Sequence, residues 1–176
     1  MKKILGLVIS LTVISGVCAG VLAYVDGLTR TPIAETKVAK TLKAAEAVMP
    51  QGVAKVEAVG DGAFVGLDAS GAPVGYAVAG SDPDGYGGTV ELMVGFEADR
   101  RTVVCYKVLA AAETPGLGMK LSTPDFFKQF TGRDGSALKV KKDGGDVEAI
   151  TAATITSRAV CRAIGAAQAR ADGLAK

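Results

Sequence analysis

Between Ile4 and Val25 the chain carries no charged side chain, and this 22-residue run limits what the remainder can become. About 20 apolar residues in a helix span the hydrocarbon core of a bilayer, where backbone groups must satisfy one another because water is absent. Lys2 and Lys3 precede the run, so the positive-inside rule leaves the N-terminus in the cytoplasm and sends the rest across the inner (plasma) membrane. Cleavage after Val21-Leu22-Ala23 is the competing fate, but the run exceeds the apolar stretch of about 7–15 residues typical of a cleaved signal. A lipid-modified Cys18 fits less well, since Val17 stands where a small residue is needed and apolar sequence continues beyond the cysteine. The expected organisation is a cytoplasmic start and single transmembrane helix over 1–25, a connector and linking helix over 26–52, and one extracytoplasmic domain over 53–176. That domain is long enough to bury its own core.

All 18 acidic residues and 18 of the 20 basic ones follow the span, which makes the soluble portion formally neutral. Neither nucleic acid nor long-range steering of a charged partner is implied. A domain tethered in the membrane, beside lipid and neighbouring subunits, needs no such steering. Cys18, Cys105 and Cys161 have neither metal-ligand nor haem-attachment spacing, and there is no histidine. In an oxidising compartment Cys105 and Cys161 either bridge or serve as small buried apolar side chains.

Hydrophobic periodicity predicts a helix from Pro32 to about Met49, with Ile33, Val38, Leu42, Ala45 and Met49 on the face that packs on a sheet, ended by Pro50-Gln51-Gly52. From Val53 to Val78, short apolar stretches alternate with turns such as Asp61-Gly62 and Ser70-Gly71-Ala72-Pro73, the pattern of antiparallel hairpins. Val90–Phe96 and Thr102–Leu109 read as longer strands. Ala110–Leu121 is an irregular loop, and Ser122 with Asp125 resembles a capping pair for a helix of about two turns carrying Phe126, Phe127 and Phe130. Leu138–Lys142 alternates like an exposed edge strand, Val147–Ile150 like a further short one, and Ser157–Ala171 is rich in helix formers. The fold class expected is α+β, an antiparallel or mixed sheet flanked by helices and preceded by one transmembrane helix.

Three segments stand out chemically. Glu148-Ala149-Ile150-Thr151-Ala152-Ala153-Thr154 is followed by Ile155-Thr156-Ser157, hydroxyls on a narrow ridge of small residues that a modifying enzyme can reach. Upstream lie Ala112-Glu113-Thr114-Pro115-Gly116-Leu117-Gly118-Met119-Lys120 and Asp84-Gly85-Tyr86-Gly87-Gly88-Thr89. Taken singly, the first is as often a strand-to-helix junction rich in capping residues as a site, the two Gly-rich segments are more often ordinary turns, and Arg158 and Arg162 are more often a solvated helix face. Together, and in this order, they resemble the FMN-binding subunits of two membrane redox complexes, the Rnf-type ferredoxin:NAD oxidoreductase and the sodium-pumping NADH:quinone reductase. Three departures from the family pattern are visible: Glu148 where Asp is commoner, Ala152 where Gly is commoner, and Ala111 where His often stands.

The resemblance implies that Thr154 carries FMN through a phosphoester bond, formed by a flavin transferase. Around it, Thr151 is expected as a further binding residue of the motif, Ala152 and Ala153 are expected to leave room for the transferase and the ribityl chain, and Thr156, Ser157 and Arg158 are expected to donate to the phosphate at the start of the last helix. Glu113, Thr114, Gly116, Leu117, Gly118 and Lys120 are expected near the ring or ribityl end, with Glu113 holding the loop or bonding the ribityl hydroxyls and Tyr86 lining or stacking. Few aromatic residues and no Trp suggest a partly exposed flavin. Nothing in the chain demands an acid–base pair, a nucleophile of its own, or a metal. The function so implied is that of the G subunit of an Rnf-type complex, passing electrons between redox centres of neighbouring subunits. The C subunit of the sodium-pumping quinone reductase is the close alternative. A membrane-tethered structural module without flavin, or a stand-alone flavoprotein serving extracytoplasmic reductases, are alternatives of other kinds.

Overall fold

A computed structural model describes residues 2–174, with side chains apart from those of residues 2–3 and 31–35. Lys2 and Lys3, which carry the orientation argument, and Pro32 and Ile33 of the expected linking helix fall outside the described side chains. The chain forms two compact units, Met1–Ala39 and Lys40–Lys176.

The first helix, α1, runs unbroken over Lys2–Val48. Its stretch Ile4–Arg30 has a mean hydropathy of 2.4 and is long and apolar enough to cross a membrane. The polar connector expected at residues 26–31 is helical instead. Its polar groups are satisfied along the helix: Arg30 pairs with Asp26 one turn back at 2.6 Å, and Thr29 Oγ1 donates to the Val25 carbonyl at 2.8 Å.

In the second unit, β1 (Lys55–Gly60), β2 (Ala63–Leu67), β3 (Pro73–Gly85), β4 (Gly88–Glu97) and β5 (Val103–Ala110) form an antiparallel sheet in the order β1-β2-β3-β4-β5. Each strand pairs with its neighbour in the chain, as short connections favour. Period-two alternation divides the buried residues of β4 between two faces: Val90, Leu92, Val94 and Phe96 on one, Met93 on the other. Val160, Ala163, Ile164 and Ala167 of α3 (Thr154–Gly173) join the core on the first face. On the second, Ala44, Ala45 and Val48 at the end of α1 pack with Ala77 and Met93. A sheet covered on both faces explains why β3 and β4 are so thoroughly apolar. At Gly80 a Cβ would sit 2.1 Å from the Ala163 carbonyl oxygen, so glycine at that point of β3 lets α3 lie directly on the sheet.

Strand β3 continues to Gly85, well past Val78 where the sequence pattern weakens, and this turns the Asp84–Thr89 segment into the β3–β4 hairpin. After β5 come a 3-10 turn over Gly118–Ser122, the short α2 (Pro124–Phe127) and a 3-10 turn over Lys128–Phe130. Ser122 and Asp125 do not form the expected cap. Ser122 Oγ donates to the Met119 carbonyl at 2.9 Å, and Thr123 occupies the N-cap position. Phe126 and Phe130 pack edge to face at 5.4 Å between ring centroids, and Phe130 meets Tyr106 likewise at 5.6 Å. The Tyr106 hydroxyl donates to the Leu121 carbonyl at 2.5 Å, fixing the loop above β5.

Two strand expectations are corrected. Leu138–Lys142 is no edge strand, and Val147–Ile150 forms no strand; Val140 and Val147 make one isolated parallel bridge, followed by a 3-10 turn over Lys141–Asp143. The reason is local closure. Lys141 N–H donates to the Val147 carbonyl at 2.8 Å and Val147 N–H to the Lys139 carbonyl at 3.1 Å, so these backbone groups are used within the loop. Cys105 and Cys161 are free thiols. Cys161 belongs to the core beneath α3, where burial pushes its thiol up to about 11 and leaves it unreactive.

Candidate functional site

The three singled-out segments converge on one buried carboxylate. Glu113 is 5% exposed, accepts the Thr156 hydroxyl on Oε2 at 2.7 Å and accepts Gly87 N–H on Oε1 at 3.3 Å. A carboxylate taken out of water is tolerable when donors surround it, and these come from the β3–β4 hairpin and from the first turn of α3. At Gly118 a Cβ would lie 2.6 Å from Glu113 Oε2 and 2.9 Å from Thr156 Oγ1, so the loop can close over the carboxylate because that residue is glycine.

Beside this knot is a cavity of ≈ 460 Å³, walled by Tyr86 from the hairpin, by Glu113, Thr114, Leu117 and Gly118 from the loop, and by Ala152–Thr156. Its rim is apolar and open: Tyr86 is 70% exposed, Ile155 47% and Leu117 42%. Thr154 is the first residue of α3, which therefore starts three residues before the expected Ser157. Ala153 holds the N-cap position without a side-chain cap, so the opening N–H groups of α3 lack the partner that a capping side chain would give. Ala152 reaches this junction at φ 61.

Neighbouring contacts hold the junction rigidly. Ser157 Oγ accepts Ile150 N–H at 2.9 Å and donates to the Ala153 carbonyl at 2.9 Å, a staple across the loop that leads into the helix. Glu148 pairs with Lys141 at 2.7 Å, and the ammonium holds its carboxyl below the usual carboxylate range. Arg158 grips Asp143 through Nε at 2.7 Å and Nη2 at 2.6 Å, and lowers that carboxyl likewise. Lys142 Nζ donates to Thr154 Oγ1 at 3.4 Å. Farther along α3, Arg162 binds Asp82 of β3 in the same forked manner at 2.7 and 2.8 Å.

The structure thus gathers Tyr86, Glu113, Thr114, Leu117, Gly118, Ala152, Ala153, Thr154 and Thr156 around one cavity. Gly116, Lys120, Thr151, Ser157 and Arg158 are not on its wall: Gly116, Lys120 and Thr151 are exposed, Ser157 is the buried staple, and Arg158 is engaged by Asp143. Sequence reasoning missed Ile155 and Lys142. An apolar residue inside a run of hydroxyls was a usable signal for Ile155; for Lys142, twelve residues before Thr154, there was none.

Chemically, the cavity volume lies within the range of about 300–1,000 Å³ usual for small-ligand sites. Apolar walls at the rim suit a flat ring. A hydroxyl, open helix N–H groups and an ammonium at the α3 end suit an anionic tail. The residues present fit FMN.

Residues 85–169 match the FMN-binding domain family, a stretch that contains the hairpin, the loop and the start of α3. The G subunit of the ion-translocating oxidoreductase complex of Methanosarcina acetivorans is 32% identical over 176 residues, covering 94% of this chain and 93% of the relative. The Escherichia coli protein of the same name is 41% identical over 99 residues, 52% of this chain and 48% of the relative; against it and several other bacterial G subunits the match covers about half their length. Among solved structures, that of Shewanella oneidensis NqrC shares 25% identity and a TM-score of 0.54, over 64% of this chain and 60% of that one. The C subunit of the Na(+)-translocating NADH-quinone reductase from Parabacteroides distasonis gives 25% and 0.51, over 65% and 62%. With a nearly full-length relative, an FMN-binding domain and the convergence of its motifs on one cavity, the chain belongs to the family of G subunits of ion-translocating oxidoreductase complexes.

Proposed function

We infer that this chain is the electron-transfer G subunit of an Rnf-type complex and carries FMN as a phosphoester on Thr154. The observation that carries this reading is the position of Thr154: it lines the ≈ 460 Å³ cavity, at the first residue of α3, with Lys142 Nζ 3.4 Å from its Oγ1. A phosphate attached there meets the positive end of a 20-residue helix, and the ring has the apolar rim of Tyr86, Leu117 and Ile155 to lie against. FMN supplies one- and two-electron exchange, while the chain supplies position and surroundings.

The openness of the rim favours a relay over a substrate-converting enzyme, because cofactor edges must approach one another while no substrate needs enclosing. An exposed ring is weakly held, and the ester offsets that weakness. Electrons then pass between redox centres of neighbouring subunits on the extracytoplasmic side, with α1 as the anchor in lipid. The chain adds no ion path of its own, since Ile4–Val25 contains no Asp, Glu, Lys, Arg or His. Likeness to the two solved C subunits supports a second reading, the corresponding subunit of a sodium-pumping quinone reductase. Co-purification with ferredoxin- or NADH-dependent partner subunits separates the two.

The direct test is the intact mass of the full chain made alongside a flavin transferase. Wild type and Thr154→Ser are expected to carry one FMN and to fluoresce in a denaturing gel, and Thr154→Val to carry none. Wild-type chain at its bare polypeptide mass would sink the carrier reading and favour a flavin-free structural module.

A further inference from the structure

The 3-10 turn Lys141–Asp143 touches the segment around Thr154 with three consecutive side chains. Lys141 pairs with Glu148, Asp143 takes the guanidinium of Arg158, and between them Lys142 reaches Thr154 Oγ1. The two outer contacts neutralise themselves. Lys142 differs, because among the described residues no carboxylate lies within ion-pair distance of it, and its recorded partner is the Thr154 hydroxyl. The two arginines nearby are committed elsewhere: Arg158 and Arg162 are each held by both oxygens of an aspartate.

We propose that Lys142 is the phosphate-binding cation of this site, a positioning role that rests on the reading of Thr154 as the flavin-bearing residue. A phosphoester formed at Oγ1 has its two non-bridging oxygens one bond beyond the phosphorus that this atom carries, within the sweep of an ammonium that already contacts Oγ1 itself. A diester carries a single negative charge, which one compact ammonium with three donors can balance from any approach. The open N–H groups at the start of α3 approach the same phosphate from another direction. The outer pairs, Lys141 with Glu148 and Asp143 with Arg158, then act as guy ropes that hold the turn where Lys142 can reach. A 3.4 Å contact between an exposed ammonium and a hydroxyl adds little to folding, so a purely structural role predicts little consequence from removing it.

The test uses the full chain with its transferase, comparing wild type, Lys142→Gln, Lys142→Arg and, as a control for loss of one charge, Lys107→Gln on β5. Flavin incorporation is followed by intact mass over time, and the phosphorus-31 NMR resonance of the loaded chains is then compared. The expected result is incorporation roughly threefold to tenfold slower in Lys142→Gln, the range of a partly exposed charge-assisted contact. Its phosphorus resonance is displaced from that of wild type, while Lys142→Arg largely restores both and Lys107→Gln changes neither. A Lys142→Gln chain that keeps its thermal midpoint yet takes up no flavin also supports the proposal. If Lys142→Gln loads at the wild-type rate with an unmoved resonance, Lys142 does not bind the phosphate, although the flavin on Thr154 stands. If wild type itself takes up no flavin, both readings fall.

Discussion

Ala152 sits at φ 61, a left-handed conformation that costs an L-residue with a Cβ about 1–2 kcal/mol. The strain has a use: the chain must turn sharply between Ile150 and Ala153, the two points that Ser157 staples, to bring Thr154 to the cavity wall, and the adjoining Ala153 and Thr154 are fixed by the helix they begin. Gly, the commoner residue at this position of the flavin-attachment motif, removes the strain but gives the unfolded chain more freedom, which returns part of the gain. Ala152→Gly is therefore expected to stabilise the full chain by about 0.5–1 kcal/mol, read as a rise of a few degrees in thermal midpoint, with flavin incorporation unchanged. A lower midpoint would mean that the Ala152 methyl makes contacts outweighing its strained backbone. Glu113 teaches the complementary lesson: of the two roles expected of it, holding the loop or bonding the ribityl hydroxyls, its contacts serve the first, since it ties the loop to the hairpin and the helix start through Gly87 and Thr156.

Element by element, α3 is tied to β3 by the forked pair between Arg162 and Asp82, whose side chain is 9% exposed. The Arg162 guanidinium holds the Asp82 carboxyl below the usual carboxylate range, and burial opposes it more weakly. A carboxyl depressed on folding contributes stability that is fully present above its unfolded value of about 3.9 and is lost as pH falls through the lower folded value. Asp82→Asn is thus expected to lower stability near neutral pH by about 1–2 kcal/mol, discounted because Arg162 is half exposed, and to narrow its gap from wild type below about pH 4. Parallel unfolding curves at pH 7 and pH 3.5 measure this, and an equal gap at both would assign the loss to packing. At this scale much of the sheet was legible, since β4 and β5 announce themselves by long, largely apolar stretches and the β1–β2 turn by Asp61-Gly62. The start of α3 was not: Thr154, Ile155 and Thr156 are β-branched and disfavour helix locally, yet Glu113 and the apolar face farther along impose one. The Lys141–Asp143 turn was equally hidden, because alternation in Leu138–Lys142 mimics a strand while the hydrogen bonds that prevent it come from Val147.

At the scale of the whole molecule, the order of charge along the chain sets its expected placement across the membrane. Two lysines lie before the uncharged run and a formally neutral remainder follows it, so the small imbalance near the N-terminus is what the insertion machinery can sense. A formally neutral domain has no net charge to guide it toward partners, and the proposed tether through α1 would replace diffusion with a high effective concentration at the bilayer. The cavity rim of Tyr86, Leu117 and Ile155 belongs to the second compact unit, and a relay between membrane-embedded neighbours requires that unit to stand on the side where those neighbours expose their own centres. Two measurements check this. Alkaline carbonate washing is expected to leave the full chain in the membrane pellet, as a spanning helix demands and a peripheral contact does not. Protease added to spheroplasts is expected to remove an epitope at the C-terminus, while inside-out vesicles protect it. Protection in spheroplasts with digestion in inverted vesicles would put the flavin domain in the cytoplasm, and the relay would then have to run between centres on that face.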